Sequence, residues 1–298
     1  VTTSSKQSPV TTATTRAGEL DVTFLECGSG PLALCLHGFP DSPYTWRHLL
    51  PELAARGYRA VAPFMRGYAP TSVPESGVYQ TAALARDANA LHDALGGDEH
   101  AVIIGHDWGA PTVCGAALDA PQRWRKVVSM SVPPGPALGA AFLSNLAQIQ
   151  SSWYMFFFQH PLSNYVVAAN DMAFIDMLWA QWSPGYAAVA DLAHVKDALR
   201  NPDNLQAALG YYRATLGDGK RDPDLASLQE RIGREFPSQP MLYLHGENCG
   251  CVGIEIAKAA QASAPAHVRF EYIANAGHFV QVEQPNLVNQ LIVGFLDS

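Results

Sequence analysis

The chain has 298 residues, enough for one large core with a second small region packed against it. Hydrophobic residues make up 48% and charged ones 15%, a balance that excludes a disordered chain. Nineteen Lys and Arg against 27 Asp and Glu give a formal net charge of -8, which repels phosphate backbones and excludes nucleic acid as an expected partner.

Residues 1–16 are rich in Thr and Ser and read as a flexible leader. They lack the apolar core of a secretory signal, which points to a soluble cytoplasmic chain. Short β-branched runs then alternate with helical stretches. Strands are predicted at Val22–Glu26, Leu32–Leu36, Tyr58–Ala62, Ala101–Ile104 and Lys126–Ser131, with helices over Thr45–Arg56 and Thr81–Leu95. This is the pattern of a mostly parallel sheet covered on both faces.

Leu36-His37-Gly38-Phe39-Pro40 follows the second of these strands, and its Phe39-Pro40 bond is a candidate cis peptide. The run Ile104-Gly105-His106-Asp107-Trp108-Gly109 is a strand end, a Gly-x-Asp-x-Gly turn and a helix start. Its spacing is that of a nucleophile elbow, with Asp107 where Ser would stand. A helix N-cap is the competing reading of Asp107. The loop at His37 favours the nucleophile, because the N–H groups of Phe39 and Trp108 then converge as an oxyanion hole.

Pro133-Pro134-Gly135-Pro136 ends the alternation. Residues 135–235 carry helical periodicity dense in Trp, Tyr, Phe and Ala. The apolar run Trp153–Phe158 is too short to span a membrane, which takes about 18 residues. An insertion at the end of a parallel strand lies over the carboxyl edge of the sheet, so this segment is expected to be a lid. Strands return at Met241–Leu244 and Val268–Ile273, and helices at Ile254–Ala262 and Leu287–Leu296. The core is thus assigned to residues 17–134 and 236–298. In the loop after the last strand, Gly277-His278-Phe279 offers a general base facing Asp107. His37, His106 and His245 are expected to be structural.

The five cysteines are too few for a disulfide scaffold, and Cys249-Gly250-Cys251 is spaced too closely for a zinc knuckle and has no second pair. No metal is therefore expected.

On these residues the chain resembles the epoxide hydrolase branch of the α/β-hydrolase family, near the haloalkane dehalogenases, from about Gly18 to Leu296. The likeness rests on His37-Gly38-Phe39-Pro40, on Gly105-His106-Asp107-Trp108-Gly109 and on Gly277-His278-Phe279. It implies a lipophilic epoxide and water as partners, a vicinal diol as product, and no cofactor. It also implies two lid tyrosines that hold the epoxide oxygen, placed at Tyr154 and Tyr212, with Tyr211 the alternate.

The family's orienting acid stands three residues after a strand-ending Gly, which is Cys249 here. Glu247 and Asn248 are the alternative contacts. Trp108, Phe39, Trp153, Phe157 and Trp179 are expected to touch substrate. A haloalkane dehalogenase or a non-catalytic ligand receptor would share much of this pattern, and a homodimer is the expected assembly if the chain associates.

Overall fold

The computed structural model describes residues 9–298. Eight strands form one sheet in the order β1-β2-β4-β3-β5-β6-β7-β8. They are β1 (Thr11–Ala17), β2 (Leu20–Gly28), β3 (Leu32–Leu36), β4 (Arg59–Pro63), β5 (Val102–His106), β6 (Lys126–Met130), β7 (Met241–Gly246) and β8 (Val268–Ile273). The β1–β2 and β2–β4 pairs are antiparallel and all others are parallel.

The helices of the first half are α1 (Leu49–Ala55), α2 (Thr81–Ala94) and α3 (Gly109–Asp119). Every residue of β3, β5 and β6 is buried, because helices cover both faces of these central strands. Alternation divides the two layers. Leu34, Leu36 and Ile103 join the cluster under α2 and α3, while Ala33, Cys35, Val102 and Ile104 join the one under α1.

Between β6 and β7 no strand intervenes. Seven helices occupy this stretch, namely α4 (Ala137–Ser144), α5 (Leu146–Ser151), α6 (Trp153–Phe157), α7 (Ser163–Trp182), α8 (Val189–Leu199), α9 (Pro202–Leu216) and α10 (Ala226–Ile232). The predicted helical insertion is therefore present. α7 is broken at Ala169–Met172, where Asn170, Asp171 and Met172 take left-handed angles. α10 brings the chain back onto α2 and α3. The remaining helices are α11 (Ile254–Ser263), α12 (Val280–Glu283) and α13 (Pro285–Asp297).

Two expectations need correction. The leader reading fails for residues 11–16, which belong to β1 and pair in register with β2 from Thr11↔Glu26 to Ala17↔Leu20. Thr suits an extended backbone, and its hydroxyl suits the solvent face of an edge strand, so a Thr-rich run is no bar to β structure. Pro9 and Val10 precede β1 outside any regular element, and residues 1–8 of that reading lie outside the described residues. The single helix expected over Thr45–Arg56 is a 3-10 turn, Pro43–Trp46, followed by α1.

Candidate active site

The register brings the ends of the central strands to one edge. Leu36 pairs with Gly105, His106 with Met130, and Met130 with Leu244, so the loops that follow β3, β5, β6 and β7 converge there. Asp107 occupies the turn from β5 into α3 with φ 52°. Asp tolerates this left-handed angle better than most residues. A Cβ at Gly105 would overlap the carbonyl of Gly109, and one at Gly109 would overlap that of Leu36, so both positions need glycine for the strand and helix to approach.

The Asp107 carboxylate is buried and held from two sides. Phe39 N–H donates to Oδ1 at 2.7 Å. His37 fixes the loop that carries Phe39, with Nδ1 2.9 Å from Gly38 O and Nε2 accepting from Met65 N–H at 3.1 Å. The Phe39-Pro40 bond is cis. On the other side, His278 Nε2 lies 3.3 Å from Asp107 Oδ2. This fully buried nitrogen has no hydrogen-bond partner among the described residues. Burial is the main influence on His278 and holds its pKa down at about 4 despite the neighbouring carboxylate. The ring is therefore neutral at pH 7.

The backbone of His278 is fixed from several elements. Its carbonyl accepts from Ser131 Oγ at 2.6 Å and lies 2.9 Å from His106 Nε2, and its N–H donates to Ser183 Oγ at 3.0 Å. The group at the other ring nitrogen is Cys249, whose sulfur lies 3.4 Å from Nδ1. Glu247 and Asn248 are exposed, and their N–H groups donate to Ile273 O and Ala276 O. Cys249 is thus the neighbour of Nδ1 that the sequence suggested, and the two alternatives point elsewhere. Burial pushes its thiol up to about 12, so it stays protonated. His245 supports the same loop, since its Nε2 lies 3.1 Å from Val252 O.

The two lid tyrosines come from α6 and α9, and their ring centroids lie 5.7 Å apart above Asp107. The Tyr212 hydroxyl is buried without a hydrogen-bond partner among the described residues. Tyr211, the alternate, donates its hydroxyl to Arg66 O at 2.6 Å and is thereby committed to packing. Burial raises the pKa of both Tyr154 and Tyr212 well above 10, which keeps the phenols as donors.

One residue at this site was not foreseen. Cys251 lies 3.4 Å from the Tyr154 hydroxyl, and its sulfur, an Asp107 oxygen and a His278 nitrogen all lie within 4.8 Å of one another. The only signal in the sequence was its place two residues beyond Cys249.

Asp107, Trp108, Tyr154, Tyr212 and Cys251 line a cavity of about 290 Å³. Its apolar wall comes from residues such as Val132, Leu138, Phe142, Met155, Leu216 and Ile232. Of the expected substrate contacts only Trp108 belongs to this lining. Trp153 and Phe157 share the face of α6 that packs on Phe174, one turn apart and turned from the cavity. Trp179 donates its indole N–H to Pro40 O at 2.8 Å and stacks on Phe279. Phe39 is fully buried against Phe158 and Tyr212, so its contribution is its backbone.

Residues 31–285 match the alpha/beta hydrolase fold family. An epoxide hydrolase of Caballeronia sordidicola is 30% identical over 301 residues, covering 91% of this chain and 89% of that protein. Epoxide hydrolase B of Mycobacterium tuberculosis is 30% identical over 331 residues, covering 90% of this chain and 91% of its own length. A crystal structure from Klebsiella pneumoniae superposes with a TM-score of 0.84 at 29% identity, over 96% of this chain and 97% of that one.

Proposed function

The chain belongs to the alpha/beta hydrolase fold family and within it to the epoxide hydrolases, and we propose on that footing that it opens a small lipophilic epoxide to a vicinal diol through an ester on Asp107. One observation carries the proposal. The two oxygens of Asp107 face different partners, Phe39 N–H and His278 Nε2, beneath the free Tyr212 hydroxyl.

In the first step Asp107 Oδ2 attacks an epoxide carbon and the C–O bond of the ring breaks. Tyr212 and Tyr154 hold the ring oxygen and supply the proton that the leaving alkoxide needs. In the second step His278 takes a proton from water, which attacks the carboxyl carbon of the ester. The developing oxyanion is Oδ1, already bonded to Phe39 N–H, with the Trp108 N–H as the second donor. On collapse the ester oxygen leaves as the diol with the remaining proton of the attacking water, and the carboxylate is regenerated. The proton on His278 returns through solvent to the phenolate left by the first step. The apolar wall of the cavity favours aryl, cyclic or alkyl epoxides.

Haloalkane dehalogenation would use the same carboxylate but needs a second N–H donor, such as an indole from the lid, beside Trp108 for halide. Trp179 is committed to Pro40 O and Trp153 lies off the cavity, which favours the ring oxygen bound by phenols. Among the described residues no helix is long and apolar enough to cross a membrane. Cys249 and Cys251 stand as buried thiols at the site, which suits a reducing compartment, and we place the protein in the cytoplasm. A homodimer stays part of the same proposal.

A single turnover in heavy-oxygen water tests the ester. The label is expected in the Asp107 carboxylate and not in the diol, and Asp107→Asn is expected to form neither ester nor diol. Label in the diol after one turnover would mean direct attack by water and would reject the covalent route.

A further inference from the structure

Cys251 has no part in the two-step chemistry, yet it stands among the reacting groups. Its sulfur, an Asp107 carboxylate oxygen and a His278 ring nitrogen belong to buried residues and lie within 4.8 Å of one another. In a tetrahedral zinc site, ligand atoms at about 2.0–2.3 Å from the metal stand roughly 3.3–3.8 Å apart. The pair His278 Nε2 and Asp107 Oδ2, at 3.3 Å, already has that separation. The Cys251 sulfur, within 4.8 Å of the other two ligand atoms, has only a short way to move to join them.

Two further features are those of a site built to take an ion. His278 Nε2 is fully buried, has no hydrogen-bond partner among the described residues and faces Asp107 Oδ2, a second member of the cluster, at 3.3 Å. Each ligand also has a supporting contact behind it. Nδ1 of His278 meets Cys249 Sγ at 3.4 Å, Asp107 Oδ1 accepts from Phe39 N–H at 2.7 Å, and Cys251 Sγ meets the Tyr154 hydroxyl at 3.4 Å. The mix of thiolate, imidazole and carboxylate suits zinc and does not suit magnesium or calcium. Asp107 and Cys251 also line the cavity, which leaves a fourth coordination position open to water.

We propose that Asp107, Cys251 and His278 bind one zinc ion, and that the ion shuts off epoxide opening. Zinc replaces the thiol proton of Cys251, which passes to the buffer, and no electron is transferred. The bound ion occupies the nucleophilic oxygen and the basic nitrogen together. Inhibition rests on the epoxide reading given above; binding of the metal does not.

The test uses the full chain, treated with a chelator and returned to reducing, chelator-free buffer. Titration with Co²⁺ is expected to give one equivalent of tetrahedral cobalt with thiolate-to-metal charge transfer, displaced by Zn²⁺. Cys251→Ser and Cys251→Ala, each checked for an unchanged melting transition, are expected to lose the charge-transfer band. Their zinc affinity should fall at least about tenfold, since outer contacts alone are worth that much.

Zinc should also inhibit diol formation in competition with epoxide, and the chelator should restore it. Absence of the charge-transfer band in the parent, or its persistence in both Cys251 variants, overturns the site. Zinc bound through Cys251 with undiminished turnover overturns the inhibitory role. Zinc bound through Cys251 in a protein that opens no epoxide supports the site and instead rejects the activity.

Discussion

The sulfur of Cys249 lies 3.4 Å from His278 Nδ1, in the place where a carboxylate would steady an imidazolium. Its thiol is kept protonated by burial and is also approached by Val252 N–H at 3.4 Å. A neutral thiol holds the ring in position but adds no negative charge. Alkylation of Asp107 does not need that charge, because His278 is not the base in that step. Ester hydrolysis does need it, because His278 becomes cationic there.

The ester is therefore expected to accumulate. Intact-mass measurement within the first turnover should show protein plus epoxide, and Cys249→Asp should reduce the adduct while raising kcat. Loss of the orienting acid costs about 10⁴ in a serine protease, which bounds the gain available. Free enzyme alone in the parent, together with an unchanged kcat in Cys249→Asp, would show that the thiol suffices.

The adjacent tyrosines separate chemistry from packing. Tyr212→Phe removes a buried hydroxyl that has no hydrogen-bond partner among the described residues, so stability should barely move while the alkylation rate falls by about 10²–10⁴. Tyr211→Phe removes the donor to Arg66 O and should cost about 1–3 kcal/mol of stability with little effect on rate. Urea unfolding and single-turnover kinetics on the two variants are the measurements. A reversed pattern would put Tyr211 in the reacting role.

These contrasts also explain what could be read in advance. The elbow around Asp107 and the loop at His37 are local turns with strict steric demands, so their glycines and spacing mark them. β1 escaped notice because the alternation in Thr11–Ala17 places mostly threonines and few apolar side chains. The cavity wall was misjudged because aromatic density in Trp153–Phe158 does not say which face of α6 turns inward. Tyr154 and Met155 line the cavity, whereas Trp153 and Phe157 pack on Phe174. Cys251 could not be placed at the reacting groups, because the turn from Cys249 to Val252 is set by tertiary contacts to His245 and Gln148.

Acid should destabilise the fold well above the carboxylate range. Burial holds His37 and His245 at about 4, below the ordinary 6.5. Between these values the unfolded chain binds protons that the folded chain does not, so stability is full above about pH 6.5 and falls as pH drops toward 4. At pH 5 the loss is on the order of 2 kcal/mol per histidine. Urea midpoints at pH 7 and pH 5 measure it, and His245→Gln should flatten the slope. Equal midpoints at the two pH values would mean that the rings are protonated without cost.

The last prediction concerns a carboxylate that never meets substrate. Glu283 Oε1 accepts from Ser183 Oγ at 2.6 Å and from Phe279 N–H at 3.0 Å, and Oε2 accepts from Gly277 N–H at 2.7 Å. These donors flank His278 on both sides, and Ser183 in turn receives the N–H of His278 itself. Glu283 therefore sets where the His278 loop sits, with Ser183 at the end of α7 as the link to the cap. Glu283→Gln keeps an acceptor oxygen but presents an amide to one of the donors, so the loop should shift while the fold survives. Alkylation, measured as the rate of adduct formation, should stay near the parent value. Release of the ester should slow by about tenfold or more, because a small displacement of a base carries a large cost. Glu283→Ala leaves the donors unmatched and should also cost about 1–3 kcal/mol of stability. A fall in both rates together would mean that Glu283 supports the whole carboxyl edge and not the base alone.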